Sequence, residues 1–220
     1  MKLKERYRLT LEYFLKTSPE PETELEYTDP FELLVAVILS AQCTDKRVNM
    51  ITPALLEAYP DAESLSKANP SKVYEYIKSC TYPNNKSKHL VGMAKMVVEK
   101  FKGKIPEDPD LLQQLPGVGR KTANVVASVI YRKPVMAVDT HVFRVAKRIG
   151  LADKAKTPLA AELMLTENIP PDLMHHAHHW LILHGRYICK ARKPSCNNCG
   201  LTGFCNYYLN EIKKKATNTR

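Results

Sequence analysis

No apolar run in the chain exceeds the seven residues LLVAVIL at 33–39, far fewer than the ~20 that a membrane-crossing helix needs. A transmembrane helix is therefore not expected. The opening MKLKERYRLTLEYF is charged throughout and lacks both the apolar centre and the small-residue cleavage site of a secretory signal. A cytoplasmic location is expected from this, on the nucleoid if the source is bacterial, and disulfides are not expected in that compartment. Strand signals are almost missing, since hardly any stretch alternates apolar and polar residues. Internal repeats and low-complexity linkers are missing too, so any domain boundary has to come from topology.

Positive charge is plentiful. The 220 residues carry 33 Lys and Arg against 23 Asp and Glu, a net charge of +10, which favours an anionic partner such as nucleic acid or a membrane surface. The length suits one large domain or two modest ones. Helix signals recur along the whole chain, and the expected fold class is all-α. Asp29 and Pro30 read as N-cap and first helical residue of FELLVAVILSAQ, and Thr44 as the cap of DKRVNMI, which Pro53 is expected to interrupt. Asn69 and Pro70 repeat the device before SKVYEYIKS. In KSKHLVGMAKMVVEKF, Leu90, Val91, Met93, Ala94, Val97, Val98 and Phe101 form a helical stripe, with the lysines expected on the opposite face. Asp108 and Pro109 lead into LLQQL, which is expected to stop at Pro116. Further helices are expected near 119–132, 140–149, 158–167 and 173–187, and KKKATNTR reads as a disordered basic tail. The first helix and the last section are expected to share a lobe.

Two stretches suggest chemistry. LPGVGRKTANVV, residues 115–126, joins two helices through Pro-Gly-Val-Gly. Gly117 and Gly119 permit backbone angles closed to other residues and a close approach of the chain to a ligand. The following helix start offers N–H groups and a positive dipole end to a phosphate, a grip on DNA backbone that reads no base. Lys121 sits in that first turn beside Arg120, where dipole and neighbour both disfavour its charge. An amine that sheds its proton can act as a nucleophile. Asp139, in AVDTH at 137–141, lies within reach: about twelve helical residues travel roughly 18 Å away and about seven extended ones cover up to roughly 23 Å back. Asp139 also suits the N-cap of THVFRVAKRIG, and the two roles are compatible.

The second stretch, ICKARKPSCNNCGLTGFC, places Cys189, Cys196, Cys199 and Cys205 with six, two and five residues between them. Four thiolates in one loop suit either zinc or a [4Fe–4S] cluster, and spacing alone does not separate the two. Cys43 and Cys80 lie elsewhere and read as core thiols. HHAHHWLILHG, residues 175–185, has histidines at helical spacing, but without an evident fixed carboxylate or fourth ligand it is not read as a metal site.

LPGVGRKTANVV followed by AVDTHVFRV resembles the signature of the helix-hairpin-helix DNA glycosylases, and the lysine with the six-two-five cysteine spacing resembles their endonuclease III branch in particular. The resemblance runs from the first helix to the last cysteine. It implies two helical lobes with the active-site cleft between them: a helical-barrel domain at 22–133 carrying the hairpin, and an iron–sulfur domain from 1–21 and 134–220. It implies a [4Fe–4S] cluster on the four cysteines, holding Lys190, Arg192 and Lys193 toward phosphates, with the histidine-tryptophan helix packed beside it. It further implies excision of damaged pyrimidines from double-stranded DNA by a monomer, with Lys121 as nucleophile and Asp139 as its carboxylate. Gln42 matches the residue that enters the gap left by a turned-out nucleotide, Ser40 and Asp45 flank the pocket, and Gly117, Val118 and Gly119 hold the backbone.

Two positions depart from the family pattern. In TYPNNKS, Tyr82 takes the place of a wedge residue such as leucine and Pro83 that of an aromatic, ahead of the Asn-x-Lys segment. Gly200 stands where a proline commonly follows the third cysteine, which is expected to loosen the loop. A sister glycosylase without strand cleavage is the main alternative; Lys121 argues against it, as does a chain ending soon after Cys205 against the adenine-removing branch. A metal-stabilised DNA-binding module would need neither Lys121 nor Asp139.

Overall fold

A computed structural model describes residues 1–213, and among these the chain forms helices and turns with no strand. Apart from Lys213, the tail KKKATNTR lies outside the described residues. Contacts divide the chain into a middle unit, Thr23–Arg132, and a terminal unit that joins Met1–Glu22 to the chain from Lys133 onward. The first helix, α1 (Leu3–Thr17), thus belongs with the last section.

The middle unit is organised around α2 (Pro30–Ser40), whose residues from Phe31 to Leu39, Glu32 excepted, are buried. A helix apolar on every side needs cover on every side. α3 (Asp45–Ala58), α6 (Pro83–Phe101) and α8 (Arg120–Tyr131) supply it, while α4 (Ala62–Ser66) and α5 (Pro70–Ile77) pack on α6. The expected caps are present: Asp29 accepts from Glu32 N at 2.9 Å, Thr44 from Arg47 N at 3.3 Å and Asn69 from Ser71 N at 3.0 Å. The sequence pattern had not indicated α4, which a reciprocal cap between Asp61 and Ser64 opens.

Three expectations need correction. Pro53 does not interrupt α3, which runs through it. One lost hydrogen bond is outweighed because Val48, Thr52 and Leu55 on the same face are buried, with Thr52 Oγ1 donating to Val48 O at 3.1 Å. α6 begins at Pro83, and its lysines are not all on the solvent face, since Lys86 is only 5% exposed. α7 (Pro109–Leu112) ends well before Pro116. Tight turns follow, with Leu115 N donating to Leu112 O and Val118 N to Leu115 O, at 3.1 and 3.0 Å. That three-residue step turns Leu112, Leu115 and Val118 inward together, and all three are buried.

In the terminal unit α9 (Thr140–Ile149), α10 (Pro158–Asn168) and α11 (Met174–Tyr187) share a core. The N-terminal helix is bound into it by Tyr7 and Phe14, the latter stacked on Trp180 with ring centroids 5.7 Å apart. Buried Arg6 donates from Nη1 to Ile149 O and Phe204 O, at 2.6 and 2.5 Å, and Tyr7 Oη donates to Leu151 O at 3.0 Å. Charged donors to buried carbonyls contribute about 1.5–3 kcal/mol each, so a segment distant in sequence is part of this core.

Candidate active site and metal centre

The hairpin places its residues by packing. Val118 is buried and anchors the turn, while Gly117 has φ +80° and a Cβ there would lie 2.8 Å from His89 Cβ. Gly117 is therefore required twice, by backbone angle and by space. Gly119 caps α8 with extended backbone and no side chain, and nothing lies within 4 Å of where its Cβ would be. The start of α8 is thus sterically open, with Arg120 and Lys121 exposed in its first turn. Beyond them the helix is buried on every side from Ala123 to Val129.

Gln42 and Tyr82 occupy two neighbouring turns of the same unit. Both have left-handed backbone, φ 55° and 54°, and both side chains are exposed, Tyr82 by 63%. Thr81 Oγ1 links the turns by donating to Gln42 O at 2.9 Å. Half-buried Ser40 closes α2 with its hydroxyl on Val37 O, and Asp45 opens α3. Of the two cysteines expected in the core, Cys80 is buried but Cys43, in the turn after α2, is only half-buried, and their Sγ atoms are 3.6 Å apart. Burial is the main cause raising the Cys80 thiol to about 11.

Asp139 belongs to the terminal unit, Lys121 to the middle one. The Asp139 carboxylate caps α9 through a single oxygen, Oδ1, which accepts from His141 N and Val142 N, both at 2.8 Å. The cap makes no use of Oδ2, so the second oxygen is available for another task.

All four C-terminal cysteines line one cavity, together with Ile149, His184, Leu201 and Tyr207. No three His, Cys, Asp or Glu among the described residues gather closely enough for a single metal ion. Four thiolate donors around one space are a set that could hold a multi-iron cluster. Burial is the largest influence raising the Cys196, Cys199 and Cys205 thiols, Cys199 to about 11, so a cationic centre is needed to displace their protons. The cavity also brings nitrogens close to two of the sulfurs. Arg148 Nη1 lies 3.5 Å from Cys189 Sγ and His184 Nε2 3.6 Å from Cys199 Sγ.

Between the first two cysteines Lys190, Arg192 and Lys193 are exposed. Their backbone is held from α9, where Arg148 donates to Lys190 O and Ala191 O at 2.7 and 2.8 Å and Arg144 donates to Cys189 O at 3.1 Å. The sequence pattern did not single out either arginine. Their signal was an i, i+4 pair of cations on one helix face, which is equally the mark of a solvated surface. At Gly200 a Cβ would collide with the Tyr13 ring, so this position has no room for a side chain, proline included. Here the aromatic ring from α1 fills the space. The histidine helix meets the cluster loop at His184, whose carbonyl accepts from Cys189 N at 2.7 Å; further along it His178 Nδ1 lies 2.9 Å from Ala137 O and Trp180 Nε1 donates to Ser18 O at 2.5 Å.

Residues 35–171 match the HhH-GPD superfamily base excision DNA repair protein family. Endonuclease III of Rickettsia conorii is 50% identical over 199 residues, 90% of this chain and 94% of the relative. Among solved structures, a trapped endonuclease III–DNA covalent intermediate aligns with a TM-score of 0.91 at 40% identity, covering 96% of this chain and all of the other. A non-covalent endonuclease III–DNA complex aligns equally well, at 39% identity over 97% of this chain and all of the other. The chain belongs to the HhH-GPD superfamily of base excision DNA repair proteins, in its endonuclease III branch.

Proposed function

We infer that the chain is a bifunctional DNA glycosylase and abasic-site lyase, which removes oxidised pyrimidines from duplex DNA and then nicks the strand. Its similarity to a trapped covalent protein–DNA intermediate carries this reading, since a covalent enzyme–DNA species requires a protein nucleophile. Lys121, exposed in the first turn after the Gly117–Gly119 phosphate grip, is the nucleophile in this scheme. The target nucleotide turns out of the stack into a pocket bordered by Ser40 and Asp45, and Gln42 and Tyr82 fill the vacancy. The neutral amine of Lys121 attacks the sugar C1′. The C1′–N bond breaks and the base leaves with the electron pair, to be protonated. Asp139 stabilises the positive charge that develops on the sugar or assists proton transfer, its Oδ1 meanwhile holding α9 in place. The lysine nitrogen then forms a Schiff base with the opened sugar. Loss of a C2′ proton and cleavage of the C3′–O bond expel the 3′ phosphate, and hydrolysis of the imine restores the amine.

A [4Fe–4S] cluster is the cofactor of this branch, and Cys189, Cys196, Cys199 and Cys205 are the four ligands available to it. Bound to these cysteines the cluster would serve structurally, fixing the loop with Lys190, Arg192 and Lys193, whose charges suit DNA phosphates. No helix among the described residues is long and apolar enough to cross a membrane. The reading puts the protein with DNA in the cytoplasm, on the nucleoid if the source is bacterial.

The decisive measurement is borohydride trapping on duplex DNA carrying thymine glycol or an abasic site. Wild type should give a covalent complex, and Lys121→Gln should give none while still binding the duplex. Wild type that binds but never traps would sink the lyase reading and leave a glycosylase without strand cleavage or a DNA-binding module.

A further inference from the structure

Lys86 is a buried charge that the chemistry above does not use. It lies in the first turns of α6 at 5% exposure, and its three N–H bonds meet three oxygens. Nζ donates to Leu39 O and Ala41 O, both at 2.7 Å, and to Thr81 Oγ1 at 3.3 Å. None of these acceptors is a carboxylate. Leu39 and Ala41 are the carbonyls with which α2 ends, the negative end of its dipole, where a cation substitutes for the missing next turn. Burial is the main influence lowering the Lys86 pKa, so the site keeps this charge against a desolvation cost.

The same ammonium reaches both turns that face the gap in the scheme above. On one side it holds the carbonyl of Ala41, the residue before Gln42. On the other it holds Thr81, the residue before Tyr82, and the Thr81 hydroxyl returns to Gln42 O at 2.9 Å and Ala41 O at 3.3 Å. Gln42 and Tyr82 both have left-handed φ, a conformation that is unfavourable for a non-glycine residue and persists only where surroundings impose it. The Cys43–Cys80 sulfur contact ties the turns a second time. The Lys86 ammonium is thus one donor shared by both turns.

We propose that Lys86 is a positioning residue of the reaction, holding Gln42 and Tyr82 in the paired left-handed turns that fill the gap left by the extruded nucleotide. The inference rests on the reading that these two side chains enter the duplex. It concerns only DNA that has a stack to fill, so the requirement should vanish on single strands. The test uses cluster-loaded protein with Lys86→Met and, as a mutation at an exposed position, Thr81→Val, which removes only the hydroxyl bridge. Two rates are compared: base release from thymine glycol in duplex DNA, and borohydride trapping at a preformed abasic site in a single-stranded oligonucleotide.

Both variants should lose roughly ten- to a hundredfold on the duplex, as misplacement of a positioning group does, and keep wild-type trapping on the single strand. Equal losses on both substrates would mean a general effect on the fold and overturn the proposal. Wild-type rates on both would also overturn it. Should Lys86→Met fail to fold, Thr81→Val decides by the same criteria. Wild type that traps nothing anywhere defeats the catalytic reading and this inference with it, whereas trapping wild type with unaffected variants defeats this inference alone.

Discussion

In the proposed scheme the Asp139 carboxylate has a second task besides the cap, and two substitutions separate them. Asn caps a helix about as well as Asp, because its carbonyl oxygen accepts the same amides, yet it brings no negative charge to a developing cation. Asp139→Asn should therefore keep the melting temperature and slow base release by roughly 10²–10⁴-fold. Asp139→Ala should show the same slowing and also lose about 1 kcal/mol of stability, seen in denaturant unfolding. Equal melting losses for both variants would mean that the cap needs the charge. The cap was legible in the sequence because it joins Asp139 to residues two and three further on. Its restriction to Oδ1 was not, since that depends on how the α9 start is turned.

At the scale of elements, the basic loop after α11 depends on α9. Arg148 spans Lys190 O, Ala191 O and Cys189 Sγ, and its guanidinium lies over the Tyr207 ring at 4.3 Å. Replacing it by Met removes charge-assisted bonds worth about 1.5–3 kcal/mol each and frees the segment bearing Lys190, Arg192 and Lys193. Arg148→Met should weaken duplex binding and flatten its salt dependence, by roughly one unit of log–log slope for each phosphate no longer neutralised. Affinity measured across a salt series checks this. An unchanged slope would place those cations away from phosphate. Helix starts with a proline at the first position were readable from short stretches such as Asn69-Pro70. The passage of α3 through Pro53 was not, because buried Val48, Thr52 and Leu55 outweigh a local breaking signal.

At the scale of the whole molecule, the N-terminal helix and the cluster loop stand in one unit. Removing residues 1–22 would strip Phe14 from Trp180, Arg6 from Ile149 O and Phe204 O, and Tyr13 from Gly200. Each large buried ring contributes about 1.5–3 kcal/mol, so the truncated chain should lose iron and its visible absorption, as measured by iron content and spectrum. Retained iron would show that the loop holds its cluster without α1. The all-α class, most of the caps, the glycine hairpin, the lysine and the four cysteines were determined by the sequence itself, because each is a local pattern of spacing or capping. Only the tertiary structure decided that Lys86 is buried on carbonyls as many as 47 residues away, that Arg148 holds a loop 42 residues on, and that Gly200 makes room for Tyr13. A buried charge takes its partners from whatever elements packing brings together, and nothing in the neighbouring sequence records which those are.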